Sequence, residues 1–179
     1  MRYVHEPVHL IESWCGFKPL QILESSKYTQ ANIVQLHIIR NLARYYREKF
    51  CQIDSDISLV VCDRYLTSAG IFIDTLYKCE YITEFDKAVL HETLKDYMSD
   101  LPAVSGVFYL DRPIDWCINN IQKRGRVGEQ NICVTHYLSC LRQAYESYLE
   151  TTDCDKIICR NTDLRIAHTE FVKFADSLK

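Results

Sequence analysis

Three apolar runs, interrupted only at Ser58, punctuate the chain: ISLVVC at Ile57 to Cys62, VFYL at Val107 to Leu110 and IIC at Ile157 to Cys159. Each has the length of a strand and each is followed by a long stretch with helical spacing. A half-exposed strand alternates apolar and polar residues, so runs without a polar alternate predict parallel strands covered on both faces. A further short strand is expected near Arg2 to His5.

The stretches between these runs read as helices. From Ala31 to Phe50, Val34, Ile38, Leu42 and Tyr46 recur at every fourth position. Ile33, Leu36, Ile39 and Ala43 make the segment apolar over more than one face, as in a core helix. Thr83 followed by Asp86 resembles a capping box and opens a second long helix that ends near Ser99 to Pro102. Pro113 suits the first position of a helix running to about Lys123, because its missing N–H would be unpaired there. Another helix is expected from Thr135 to Glu150. The last spans Asp163 to Leu178, with Leu164, Ala167, Phe171, Phe174 and Leu178 on one stripe. Alternation of strands and helices predicts a three-layer α/β fold with a mainly parallel sheet. A chain of 179 residues with no linker, repeat or low-complexity segment reads as one domain.

Charge and cysteine usage narrow the chemistry. The 21 basic and 24 acidic residues give a net charge of −3, without the global excess of Lys and Arg that a non-specific nucleic-acid binder uses. Any phosphate site must therefore be local. The nine cysteines include no C-x-x-C pair of the kind a zinc site or redox dithiol uses, so they read as reduced thiols of an intracellular protein, Cys62 and Cys159 buried among them. No apolar run approaches the roughly 18 residues of a membrane span, and MRYVHEPVHL lacks a signal-peptide core.

Charged residues stand where the strands end. In parallel sheets ligands bind beyond the carboxyl ends of the strands, which is where LVVCDRY delivers Asp63 and Arg64. Taken alone, that pair is equally well an ion pair or a helix cap. IQKRGRVGEQ places Arg124 and Arg126 around Gly125, with Glu129 three residues on. Alternating guanidinium groups in such a loop can fold over a polyphosphate, although a basic helix end alone is also favoured by the helix dipole. In EPV, Pro7 holds Glu6 extended directly after the first expected strand, so its carboxylate can face the same sheet edge.

Taken in order, these motifs resemble the deoxynucleoside kinase family of cellular and viral kinases. The resemblance rests on EPV at 6 to 8 followed by Trp14, Gln35 in the first core helix, DRY-LTSA-GIF at 63 to 72, and YLDRP leading into RGRVGEQ with Tyr137 and Leu138. It implies a P-loop-kinase-like three-layer fold and transfer of the γ-phosphoryl group of ATP, with Mg2+, to a deoxynucleoside 5′-hydroxyl, a step of DNA precursor salvage. Glu6 would accept the hydroxyl proton, and Arg64 would steady that carboxylate and the phosphoryl group. Gln35 would read the base, Glu129 would touch the 3′-hydroxyl, and Trp14 and Tyr28 would contact the substrate. Arg124 and Arg126 would lie on the ATP phosphates in a lid over about 123–132. Asp63, where the family has Glu, would hold magnesium. Ala69 stands where deoxycytidine-preferring relatives have Asp and thymidine-accepting ones have Ala, which favours thymidine. The resemblance also implies a homodimer, a cytoplasmic or mitochondrial location, and neither nucleic-acid nor membrane partners.

One part of the family pattern has no counterpart. No G-x-x-x-x-G-K-[ST] loop occurs in the sequence, and the strand before that loop is the family's central strand. Met1 is accordingly expected to lie within a longer active protein, and the runs at 57–62 and 105–110 either pair directly or keep unpaired edges. Two other readings compete: a thymidylate kinase, and a non-catalytic nucleoside-binding or assembly module.

Overall fold

The computed structural model describes residues 1–12, 18–19, 22, 29–125 and 134–178. Four strands and seven helices alternate along them: β1 Arg2–Val4, α1 Val8–Glu12, α2 Ala31–Phe50, β2 Val60–Cys62, α3 Thr67–Lys78, α4 Glu84–Met98, β3 Gly106–Leu110, α5 Ile114–Arg124, α6 Val134–Thr151, β4 Asp155–Cys159 and α7 Leu164–Ser177. Among the described residues no helix is long and apolar enough to cross a membrane.

All strand pairing is parallel, but among the described residues it forms two separate pairs rather than one sheet. In the first pair Arg2, Tyr3 and Val4 stand opposite Val60, Val61 and Cys62. In the second, Gly106 through Leu110 stand opposite Asp155 through Cys159. Among the described residues β2 and β3 do not pair with each other, so of the two outcomes open to the runs at 57–62 and 105–110 it is the unpaired edge that is seen. Coverage on both faces is not: β2 is half-buried throughout, and Leu110 and Ile158 are 49% and 41% exposed. Among the described residues each strand has one ladder, so its other edge presents backbone N–H and C=O groups and no neighbouring strand flanks its side chains there. The first run also enters the ladder only at Val60, because β1 offers three residues to pair with, although the Leu59 carbonyl still accepts from Arg2 N at 2.9 Å.

The main core lies where α2, α3 and α4 meet the first pair. Val4, Ile39, Leu42, Ala43, Leu66, Ile73 and Leu90 are buried there around Tyr46, whose ring packs edge-on against Tyr65 at 5.1 Å. The apolar breadth of α2 is not all core, since Ile33 and Leu36 remain 53% and 43% exposed. Against the second pair, α7 buries Ala167, Phe174 and Ala175, while Leu164 in its first turn is 68% exposed and leaves the expected stripe. Gly106 permits that close approach, because a Cβ there would stand 2.6 Å from Leu178 Cδ1 and 2.8 Å from Phe174 Cζ.

Local signals behave as their chemistry requires. Thr83 Oγ1 accepts from Asp86 N at 3.1 Å and Asp86 Oδ2 accepts from Thr83 N at 3.0 Å, completing the capping box of α4. Asn32 Nδ2 adds a 2.8 Å bond to Asp86 Oδ1 that ties α2 to this cap. Pro113 sits one residue before the helix, at the N-cap, where ψ of 142° keeps it extended. Cys159 is buried, whereas Cys62 is only half-buried, yet burial still pushes its thiol up to about 11.

Between α3 and α4, Asp74 Oδ1 takes Lys87 Nζ at 3.1 Å and His91 Nε2 at 3.0 Å. Burial alone would raise the Asp74 carboxyl, but the hydrogen bonds and charges of His91 and Lys87 outweigh it and hold the group below its ordinary value of 3.8. A carboxyl depressed on folding stabilises the fold above its unfolded value, and that contribution is lost as pH falls through the folded value. Asp74→Asn should therefore flatten the acid limb of the stability-against-pH curve below about pH 4, measured by denaturant unfolding. Thr83→Ala should cost about 1 kcal/mol in the same measurement at neutral pH.

Candidate active site

The carboxyl ends of β1 and β2 are locked side by side. Asp63 N donates to the Val4 carbonyl at 3.0 Å, extending the ladder one residue beyond Cys62. Two residues beyond each strand, Glu6 and Arg64 meet through Arg64 Nη1 and Glu6 Oε1 at 3.3 Å. Pro7 is among the most buried side chains, which anchors Glu6 at the edge, and Tyr45 donates to the His5 carbonyl at 3.0 Å. The Glu6 side chain is 18% exposed and that of Arg64 49%, so the carboxylate is sheltered while the guanidinium reaches outward.

Arg64 has a left-handed backbone, with φ of 55°. That conformation is costly for a residue with a Cβ and persists where its surroundings hold it. Here the Tyr46 hydroxyl donates to the Arg64 carbonyl from the core, and the Phe72 ring lies 5.4 Å from the guanidinium carbon. Burial, together with the neighbouring Glu6 and Asp63 charges, raises the Tyr46 phenol well above its usual value. It therefore remains a donor at any physiological pH.

Asp63 is exposed beside the pair. Its carboxylate suits a hard divalent cation, which takes one or two carboxylate oxygens and completes its shell with water and phosphate oxygens. On the neighbouring helices Gln35 is 4% exposed and donates from Nε2 to the Ala69 carbonyl at 3.2 Å, with Ala69 itself 2% exposed. A primary amide has two donors and a carbonyl acceptor, so one such bond leaves recognition capacity. Arg124 ends α5 in an exposed position, and Gly125 caps the helix with φ of 61°, its N–H donating to the Ile121 carbonyl. Trp14, Tyr28, Arg126, Glu129 and the rest of the 123–132 lid beyond Gly125 lie outside the described residues.

A second charged cluster, to which the sequence pattern by itself assigns no role, occupies the carboxyl ends of β3 and β4. Asp111, 8% exposed, accepts from Arg142 Nη2 at 2.7 and 2.9 Å and from Arg160 Nε at 3.2 Å. Arg112, equally buried, donates to the Asp111 and Cys159 carbonyls, and its Nη2 has no partner among the described residues. The signal for it was present: YLDR and IICR put charges straight after apolar runs, as LVVCDRY does.

Helix α6 joins the two ends. Its Tyr145 stacks on Tyr109 of β3 at 5.0 Å. Burial raises the Tyr145 phenol, Arg64 works against that rise, and Glu6 and Asp63 add to it, so the ring lies within electrostatic reach of all three.

The family model for deoxynucleoside kinases matches residues 3–177. No curated protein matches the sequence significantly. Among solved structures the chain is similar to deoxyadenosine kinase from M. mycoides. The complex with the products dCMP and dCDP has 17% identity and a TM-score of 0.73, over 98% of this chain and 86% of that one. The dCTP complex has 15% identity and a TM-score of 0.76, over 98% and 85%. The dATP complex has 15% identity and a TM-score of 0.71, over 97% and 86%. At such identities the likeness concerns the fold.

The strained backbone of Arg64 yields a stability test separate from chemistry. Arg64→Gly should unfold no more easily than the parent, because it removes the left-handed cost of about 1–2 kcal/mol that a Cβ carries there, whereas the more crowded β-branched Arg64→Val should lose stability. Equal losses in both would mean that side-chain contacts, not backbone conformation, set the stability at this position.

Proposed function

Because the chain belongs to the deoxynucleoside kinase family, we propose that it transfers the terminal phosphoryl group of ATP to the 5′-hydroxyl of a deoxynucleoside. The observation that carries this reading is the Glu6–Arg64 pair at 3.3 Å, sheltered carboxylate against exposed guanidinium, at the ends of two paired parallel strands.

In this reading the Glu6 carboxylate takes the proton of the 5′-hydroxyl as that oxygen attacks the γ-phosphorus and ADP leaves. Arg64 orients the carboxylate and neutralises charge on the transferring oxygens. Magnesium held at Asp63 would neutralise the phosphates. Arg124 and Arg126 close on the same phosphates as part of the lid over about 123–132, within a single domain. Gln35 presents its amide edge to the base, Glu129 contacts the 3′-hydroxyl, and Trp14 and Tyr28 flank the substrate.

The nucleobase preference follows from Ala69. The bond from Gln35 to the Ala69 carbonyl puts a side chain no larger than a methyl group beside the amide, which supports thymidine, the base with a 5-methyl group, as the substrate. Exposed Ile33 and Leu36 on α2, with Phe85 and Val89 on the adjoining α4, offer an apolar surface to a second copy and support a homodimer.

A second reading, a nucleoside-binding module without turnover, is favoured by the separation of the strands into two pairs among the described residues and by a sequence without G-x-x-x-x-G-K-[ST]. The two are separated by incubating the chain with Mg2+, ATP and thymidine, deoxycytidine or deoxyadenosine and resolving the monophosphates. The kinase reading expects thymidine monophosphate as the main product, and Glu6→Gln should lower turnover at least about a hundredfold while thymidine still raises the melting temperature. A folded chain that thymidine stabilises, that ATP does not and that forms no product would establish the binding module instead.

A further inference from the structure

Away from the strand ends, Cys79, His136 and Cys140 converge on one point between α3 and α6. Their ligand atoms all lie within 4.8 Å of one another. Cys79 follows the last residue of α3; its backbone N–H donates to the Thr75 carbonyl at 3.0 Å and that of Glu80 to the Tyr77 carbonyl at 2.9 Å, which fixes the thiol's origin. His136 and Cys140 are four residues apart on α6 and so share one face of that helix. Both cysteines are buried thiols, at 8% and 6% exposure, while His136 is exposed.

We propose that these three side chains form a zinc(II) site that ties the end of α3 to the first turns of α6. Zinc bonds of about 2.3 Å to sulfur and 2.0–2.1 Å to nitrogen, at tetrahedral angles, place the two donor atoms about 3.6 Å apart. Cys140 Sγ and His136 Nε2 stand 3.8 Å apart. The donor set is soft, two thiolates and an imidazole, and selects zinc over the hard cations that prefer carboxylates and water. Two thiolates balance the metal's charge, so the buried side of the site carries none. On binding, both thiols release their protons to solvent, three coordinate bonds form and no oxidation state changes. Exposed His136 marks the solvent side, where water or another small donor completes the tetrahedron.

The site would act on the helix that matters to the strand ends. The same α6 carries Arg142, bound to Asp111, and Tyr145, stacked on Tyr109, and it begins directly after the 126–133 segment. A metal tie at its first turns would set the axial position of both side chains. Sequence spacing gives no hint of this, since Cys79 is more than fifty residues from its partners and caps another helix.

The test uses the full chain, reduced, stripped with a chelator and titrated with cobalt(II), then zinc(II). One equivalent of cobalt should bind with the intense visible bands of a tetrahedral ion and a thiolate charge-transfer band, be displaced by zinc, and zinc should raise the melting temperature. His136→Ala removes an exposed side chain and should weaken zinc at least about tenfold. Cys140→Ser should at least halve the charge-transfer band, leaving no more than the contribution of Cys79. The proposal is overturned by absence of stoichiometric metal, by unchanged affinity in His136→Ala, or by a Cys79–Cys140 disulfide that persists under the same reductant. None of these readouts depends on phosphoryl transfer.

Discussion

A hydroxyl buried in the core governs the geometry of the charged edge. Tyr46, 1% exposed, donates to the carbonyl of Arg64 and holds that residue in the left-handed conformation the turn after β2 requires. With the backbone turned this way, the Arg64 side chain reaches across to Glu6 on the neighbouring strand. Both ends of the tie are consequences of packing: the phenol sits in a ring cluster with Tyr45, Phe50 and Tyr65, and the carbonyl follows directly from the β1–β2 ladder. A buried donor with its acceptor removed would carry the full cost of desolvation, so core and site are coupled through one bond.

The two strand pairs share a design. Each ends in a sheltered carboxylate met by arginine, Glu6 with Arg64 in one and Asp111 with Arg142 and Arg160 in the other. Helix α6 connects them, packing on α3 beside the first pair and stacking Tyr145 on Tyr109 of the second. Its placement decides whether two local charge clusters act as one anionic-ligand surface. The cross-helix thiols and imidazole at its start bear on the same placement.

Much of this was legible in the pattern of residues. Parallel strands were foreshadowed by apolar runs, the capping box by Thr83 and Asp86, and the carboxyl-edge position of Glu6, Asp63 and Arg64 by charges that follow strands at once. Less legible were burial and pairing. Leu164 belongs to the α7 stripe by periodicity, yet in the first turn of the helix it is 68% exposed, and the β2 run begins pairing late because β1 is short. The Asp111 cluster shows the same rule of charge after strand, but its partners Arg142 and Arg160 come from elements thirty and more residues away.

By itself the sequence determined the element order, the parallel sense of the strands and the residue types at each strand end, because these depend on neighbours within a few positions along the chain. The tertiary structure alone decided which charges meet. The Glu6–Arg64 contact, the Gln35–Ala69 bond and the convergence of Cys79 with His136 and Cys140 each join residues separated by dozens of positions. Such contacts depend on how helices pack and where a ladder begins, which no local spacing encodes.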